Sequence, residues 1–418
     1  MSILVPLLSV IFFGSLLIEL SLMGVPTAER RRLRVIVLVG LALRLALAVV
    51  LEVFPQFRLF HDDAGGYELN AMAMARAWKG LGPPVVLTWH GALTHGYVYV
   101  GAVLCFLFGV FPLHLAAWNG LFGVLTVIFL YRLARHLFHS RVAFRAALLL
   151  AFMPSMIVWN SVAIKDPIMV LLVTVSLYIY MLLRRRWSTV LLLILVATVS
   201  ASFFIRFYIS YFLILSIFLT VLVGRTQEGT SRVRNLLIVA AFAIAVGLTG
   251  LSRNLSQGLE LANLEQVALY RAGMASTANS GFGHDLDVSS PRGALLALPM
   301  GLAVVLFGPF PWQMRSLLPL STLPEMLLWW YLVPSLWRGI RFAFTRSFSR
   351  GAPVFVFCIS LSIAYSLTLG NVGAAVRQRT QIFVFLFVFV ALGQFVKYCH
   401  KHRINPDLLI RPPAPAGG

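Results

Sequence analysis

Acidic side chains are scarce in this chain: 14 Asp or Glu stand against 34 Lys or Arg among 418 residues. Charge of either sign is rare, at 11%, whereas 60% of residues are hydrophobic and the mean hydropathy is +0.88. That excludes a soluble globular domain and leaves a polytopic membrane protein. The three cysteines, Cys105, Cys358 and Cys399, lie far apart in or beside apolar runs, which excludes a disulfide framework or a cysteine metal cluster. No internal repeat is visible, and no paired broken helices of the inverted-repeat kind emerge. No Lys or Arg precedes Arg30 and no small-x-small cleavage site is present, so the first apolar run is expected to be a retained helix rather than a cleaved signal peptide.

What is abundant is apolar sequence in spanning lengths. A helix needs about 20 apolar residues to cross the hydrocarbon layer. The runs 3–23, 35–54, 114–132, 142–160, 167–183, 188–204, 207–223, 236–251, 323–340, 352–369 and 380–396 meet that length or come close to it. The expected fold is therefore all-α and polytopic, a single transmembrane domain over 1–418 with about 11 crossings. Two shorter runs, 97–111 and 294–308, each end in a Gly/Pro break, "FGVFP" or "FGPFPW". They are expected to be re-entrant or interfacial, their irregular backbone buried by protein.

The net charge of +20 is clustered between apolar runs: "ERRRLR" (29–34), "RLARHLFHSR" (132–141), "RRRW" (184–187), "GRTQEGTSRVR" (224–234), "WRGIRFAFTRSFSR" (337–350) and "KYCHKHR" (397–403). Such Lys/Arg excess marks cytoplasmic loops facing anionic lipid, not a nucleic-acid surface. With every basic cluster inside, the tail 397–418 is cytoplasmic. Segments 55–96, 161–166, around 205, 252–293 and 370–379 then lie outside, and 55–96 and 252–293 are the two long outer loops. The acids Asp62, Asp63, Glu68, Asp166, Glu260, Glu265, Asp285 and Asp287 all fall on that outer side.

The first outer loop carries "FHDDAGGYELNAMAMARAW" (60–78). Tyr67, Ala71, Met74 and Trp78 recur at helical spacing while Glu68, Arg76 and Lys79 point elsewhere, which predicts an amphipathic helix at the interface. Asp62 and Asp63 flank its N-terminus, with Gly65 and Gly66 allowing close approach. One Asp suffices as a helix cap. A second adjacent carboxylate adds like-charge repulsion, which a cation or a proton to be abstracted explains better. In "WNSVAIKDPIMVLLV" (159–173), Asp166 before Pro167 reads either as a helix start or, with Lys165, as a functional pair at the membrane face. His284, Asp285 and Asp287 read as a solvated loop, with a metal site as the weaker alternative. "LFGPFPWQMR" (306–315) reads as an aromatic interface anchor.

The acidic pair, the Tyr, and the helix ending in Trp-Lys-Gly resemble the GT-C superfamily of integral-membrane glycosyltransferases. That group includes protein O-mannosyltransferases, the aminoarabinose transferase acting on lipid A, and oligosaccharyltransferases. "HGYVYVGAVLCFLFG" (95–109) is similar to the segment after that loop in bacterial members. "SVAIKDPIMVLLV" resembles their later outer-face Asp-Pro element, and "GNVGAAVRQRTQIFVFLFVFVALG" (370–393) their late Asn…Arg…Arg segment. The resemblance covers roughly 35–210 plus this late element. Two departures stand out: three residues rather than two separate the acidic pair from Tyr67, and a lysine that some members carry before the Gly-Tyr element is absent, with His90 and His95 nearby.

The resemblance implies a sugar donor on a polyprenyl phosphate, an acceptor that is glycan, lipid or protein, and an active site on the outer face of the inner or plasma membrane. It implies Asp62 as general base, Asp63 as its assistant or a metal ligand, and Asp166 as the second outer-face acid. A divalent metal (Mg or Mn) on Asp63 and Asp166 stays open, since some members need one and others do not. The departing phosphate calls for cations. Arg377 and Arg379 are the first candidates, followed by Arg206 and Lys165, because Arg forks onto phosphate oxygens. Tyr67, His90 and His95 are candidate substrate contacts. Displacement by one base without a covalent intermediate predicts inversion. Two alternatives remain: a polysaccharide polymerase or O-antigen ligase working through outward arginines, and a flippase of lipid-linked sugars. The latter needs an intramembrane polar path, for which Arg44 is the nearest residue.

Overall fold

The computed structural model describes residues 1–57, 61–85, 95–223, 240, 263–276, 281–283, 286–313 and 322–410, and for 61–63 the backbone alone. The described residues are helical, with one isolated antiparallel bridge, Gly281–Asn371. The chain divides into two compact units, Met1–Ser210 and Tyr211–Ile410. Among the described residues seven helices are long and apolar enough to cross a membrane, and between them they hold nine of the eleven expected runs. The run 236–251 lies outside the described residues.

The first unit contains α1 (Leu4–Leu22), α2 (Thr27–Val53), α3 (His61–Trp78), α4 (Gly96–Phe108), α5 (Leu113–Leu137), α6 (Ser140–Phe152), α7 (Pro154–Trp159), α8 (Asp166–Leu183) and the start of α9 (Thr189–Val223). At its centre α5 is buried along most of its length and is flanked by α1, α2, α6 and α8. The basic loops gather at one end. There Arg34 bonds Glu19 at 2.8 Å, Arg135 pairs with Glu29 at 2.7 Å, Tyr131 donates to Glu29, and Arg185 reaches the His136 carbonyl at 3.4 Å.

The expected single helix over 142–160 is instead α6 and α7, broken at Met153–Pro154. Pro154 has no N–H and its ring clashes with the carbonyl four residues back, so the Leu150 oxygen loses its helical donor. Arg44 of α2 replaces that donor. Its Nη2 lies 3.4 Å from Leu150 O, and its Nη1 donates to Ala151 O at 3.0 Å and Gly40 O at 2.8 Å. The intramembrane charge that the flippase alternative needed therefore has a structural task.

The runs 188–204 and 207–223 are joined in α9, but Arg206 between them has non-helical angles, φ −157° and ψ 87°. The hydroxyls of Ser202 and Ser210 lie 2.6 Å apart. An unbroken helix would separate those residues by about 12 Å, so the chain folds back at Arg206.

The second unit holds α10 (Leu264–Ser276), α11 (Pro291–Phe307), α12 (Leu323–Thr368), α13 (Val372–Gln378) and α14 (Thr380–Lys401). Along α12, Ser347 is non-helical. Trp329 and Tyr365 both meet the start of α14, at Phe383 and Gln381, while Gly339 and Phe355 both meet Phe389. Those pairings make α12 a hairpin with its apex at Ser347, matching the two runs expected there with a basic turn between them. The apex lies toward the basic tail: Arg350 donates to Ile410 O at 2.9 Å and Arg346 pairs with Asp407 at 3.7 Å.

Both short runs form apolar helices shorter than the candidate spans. α4 lies alongside α3, with Tyr67 against Tyr97 and Lys79 bonding Cys105 O at 3.3 Å, and α5 then starts again at the end from which α4 set out. α11 meets the second arm of the α12 hairpin through Gly301–Ser366. It meets the first arm through Trp329 Nε1, 2.8 Å from Leu306 O. It therefore runs from arm to arm.

Candidate functional site

In the first unit, three of the segments expected to lie outside meet at the end opposite the basic loops. α3 starts at His61, so Asp62 and Asp63 stand in its first turn, where the helix dipole favours negative charge. Gly65 and Gly66 are part of the helix rather than a turn before it. The buried face also differs from the expected one: Glu68, Ala71, Met74 and Ala75 are buried, whereas Trp78 is exposed. The close approach of Ala71 to Gly101 of α4 rotates α3 so that Glu68 points inward.

Asp166 is 2% exposed and opens α8. Its Oδ1 lies 3.0 Å from Arg206 Nη1 and its Oδ2 lies 3.5 Å from Nη2, which makes a forked ion pair at the chain reversal of α9. The reversal is held close by Gly96, where an added Cβ would stand 2.4 Å from Phe204 O. Lys165 Nζ sits 5.9 Å from the centre of the Tyr67 ring, and that ring meets Tyr97 edge-on at 5.1 Å. The structure thus brings Tyr67, Lys165, Asp166 and Arg206 together, with His95 buried at the start of α4. His90 lies outside the described residues.

Asn119 was not legible as a site residue. Fully buried in α5, it donates to Tyr97 OH at 2.8 Å and to the carbonyls of Val162 and Ile164, each at 2.7 Å. It holds the 161–165 loop that presents Lys165 and Asp166. The available signal was a lone amide within an apolar helix, which in lipid has a specific partner or a function.

The late arginines belong to the second unit. Asn371 caps α13, its Oδ1 accepting from Gly373 N at 2.7 Å, and Gly370 O accepts from Phe282 N at 2.8 Å. The late element is thereby tied to the second outer loop. Arg377 is half-buried at the end of α13. Arg379 is 1% exposed, donates to Gly308 O, and has Nη2 3.2 Å from Met326 Sδ and 4.0 Å from a Glu325 carboxylate oxygen. Burial lowers its pKa to about 10, opposed by the Glu325 charge, so it is a cation at neutral pH. Arg271 of α10 was also missed by the sequence reading. It is 2% exposed, stacks over Phe282, and donates to Ser366 O at 3.0 Å and Leu367 O at 3.3 Å. Those contacts pin α10 to the end of α12.

Asp287 is exposed and accepts from Ser289 N at 2.8 Å and Ser289 Oγ at 2.6 Å. Those bonds lower its pKa and lead into Ser290, the N-cap of α11. Its expected companions His284 and Asp285 lie outside the described residues. Among the described residues no group of three His, Cys, Asp or Glu side chains is placed to hold a metal ion. Both oxygens of Asp166 face Arg206, which a metal there would have to displace.

Residues 94–252 match the family model described as dolichyl-phosphate-mannose-protein mannosyltransferase. No curated protein matches the chain. Among solved structures, it is similar to the oligosaccharyltransferase AglB of Archaeoglobus fulgidus in complex with an inhibitory peptide and a dolichol-phosphate. The identity is 14%, the TM-score is 0.50, and the match covers 90% of this chain and 52% of that one. A second structure from that organism, tethered to an acceptor peptide, gives 17% identity and a TM-score of 0.46 over 82% of this chain and 46% of that one. The chain spans about half the length of the archaeal protein, and the likeness is one of fold.

Proposed function

We propose that this chain belongs to the GT-C superfamily of integral-membrane glycosyltransferases and transfers a sugar from a polyprenyl-phosphate donor to an acceptor hydroxyl, a reading supported by the family-model match and the likeness of fold. The reaction is placed on the outer face of the inner or plasma membrane, in the assembly of a cell-envelope glycan or glycolipid. The observation that supports this most directly lies inside the stretch matching the family model. There the loop bearing Lys165 and Asp166 and the reversal bearing Arg206 meet beside the helix whose first turn carries Asp62 and Asp63.

In the proposed reaction the acceptor oxygen attacks the anomeric carbon as the bond from that carbon to the phosphate oxygen breaks. Asp62 takes the hydroxyl proton, and Asp63 keeps the local field negative. The departing phosphate carries its new charge to cationic groups, the role given to Arg377 and Arg379, with Lys165 and Arg206 as further candidates. One displacement inverts the anomeric centre. A divalent metal is left to experiment, and no step depends on it.

The test uses membranes containing the protein and a labelled polyprenyl-phosphate sugar. General-base catalysis contributes about 10²–10⁴-fold, so Asp62→Asn should lower transfer by at least about 100-fold. Full transfer by that variant, with loss on Arg377→Ala, would favour the ligase-type alternative instead. Labelling that put Asp62 and Arg377 on opposite sides of the membrane would remove the proposed mechanism altogether.

A further inference from the structure

At the basic end of the first unit, the turn between α5 and α6 carries a side chain whose hydrogen-bonding role depends on its charge. His139 is the N-cap of α6, with φ −63° and ψ 150°. Its Nδ1 accepts from Arg141 N at 3.2 Å, and its carbonyl accepts from Val142 N at 2.9 Å and Ala143 N at 3.3 Å. The side-chain bond satisfies an amide that has no partner within its own helix. Asn, Asp, Ser and Thr do the same with an oxygen that remains an acceptor at neutral pH. Imidazole does it only while neutral, because both ring nitrogens of the protonated form are donors.

The surroundings of the ring give that dependence a direction. His139 is half-buried, and the charged groups facing it among the described residues are Arg141 of α6, Glu29 of α2 and Arg135 of α5. Burial first, and then Arg141, hold its pKa below the usual imidazole value; Glu29 opposes them and Arg135 adds to them. Because that pKa lies below the unfolded one, the stability His139 confers is full above the usual imidazole value and is lost as pH falls through the folded one. Glu29 is the one acid among the three groups, and Arg135 at 2.7 Å and the Tyr131 hydroxyl already engage it. A protonated ring that turns to Glu29 competes with both and leaves Arg141 N without its cap. We infer that His139 is a proton-sensitive latch on the first turn of α6, closed while the imidazole is neutral and open once it is protonated. The helix it holds leads through α7 to the 161–165 loop that presents Lys165 and Asp166. The latch works whether or not the chain transfers a sugar.

The experiment follows amide hydrogen exchange over 139–143 in the full-length protein in detergent, from about pH 4 to about pH 7.5, a range that brackets the imidazole titration. Each rate is divided by the intrinsic rate at the same pH. Protection at Arg141 should be about fivefold lower at the acid end, the scale of a lost N-cap. His139→Asn keeps a cap that does not titrate and should abolish that difference, holding protection at its neutral-pH level throughout. His139→Ala should give low protection at both ends of the range. Wild-type protection that does not change with pH overturns the inference. So does a pH difference that survives in His139→Asn, since the proton then acts elsewhere. If the variants do not fold, the ring-nitrogen NMR signals of His139 in the wild-type protein decide. They should show Nδ1 unprotonated at neutral pH and both nitrogens protonated at the acid end. A ring already protonated at neutral pH, or still neutral at the acid end, overturns the latch.

Discussion

Asp166 and Arg206 form a forked ion pair, 3.0 and 3.5 Å, between the first residue of one helix and the apex of another, with both side chains about 3% exposed. Forty residues separate them in the chain. Removing one partner strips the other, buried charge of its forked ion pair, which costs up to about 3–5 kcal/mol. Asp166→Asn or Arg206→Ala should therefore lower the thermal midpoint in detergent sharply. The double variant Asp166→Asn/Arg206→Gln should lose much less than the sum. Additive losses would mean that the two side chains do not act as a pair.

The Asn119 amide NH2 shares its two hydrogens among Tyr97 OH and two carbonyls of the 161–165 loop. Asn119→Leu removes the donor to Ile164 O, at about 1–3 kcal/mol, and leaves Val162 O with the Ile164 N–H alone, at 2.9 Å. The expected result is faster proteolysis at 161–165 and a fall in kcat larger than any rise in donor KM. A variant with wild-type kcat and proteolysis would show that the loop holds its shape without this clamp.

Gly339 and Gly393 sit where α12 and α14 cross. A Cβ on Gly339 would lie 1.8 Å from Phe389 O, and one on Gly393 would lie 1.8 Å from Ser335 O. Small residues at such crossings let helix backbones touch. Gly339→Leu should give no monodisperse protein by size exclusion. Gly273→Ala, on an exposed face of α10 with open space around it, should be neutral or stabilising by up to about 1 kcal/mol. Equal behaviour of the two variants would contradict the packing described.

Arg44 caps the carbonyls freed by Pro154. Arg44→Met keeps much of the length and apolar stem but abandons those acceptors, at a cost of about 2–4 kcal/mol in total. The thermal midpoint should fall, and the loss should shrink when Pro154→Ala restores the helical donor in the same chain. A double variant no more stable than Arg44→Met would separate the arginine from the break.

The sequence by itself determined where nine of the apolar runs form long helices, where two of those helices reverse, and which end is basic, but not the break at Met153–Pro154. Runs 188–204 and 207–223 foretold the reversal at Arg206, and runs 323–340 and 352–369 foretold the one at Ser347. The reason is local: in lipid each backbone group is satisfied within its own helix, so composition and length suffice to mark the segments. The Asp62–Asp63 turn and the Lys165–Asp166 helix start were legible for the same reason, as rare charges at the ends of apolar runs.

Tertiary structure alone decided which polar groups meet. A helix that is apolar on every side carries no periodic signal of its inner face, so nothing in the sequence pairs Asp166 with Arg206 or aims Asn119 at the 161–165 loop. The α3 helix was misread by one position for a related reason. Its inward face is set by the contact of Ala71 with Gly101, a partner remote in sequence. Burial of Glu68 follows from that rotation and not from any pattern along the helix itself.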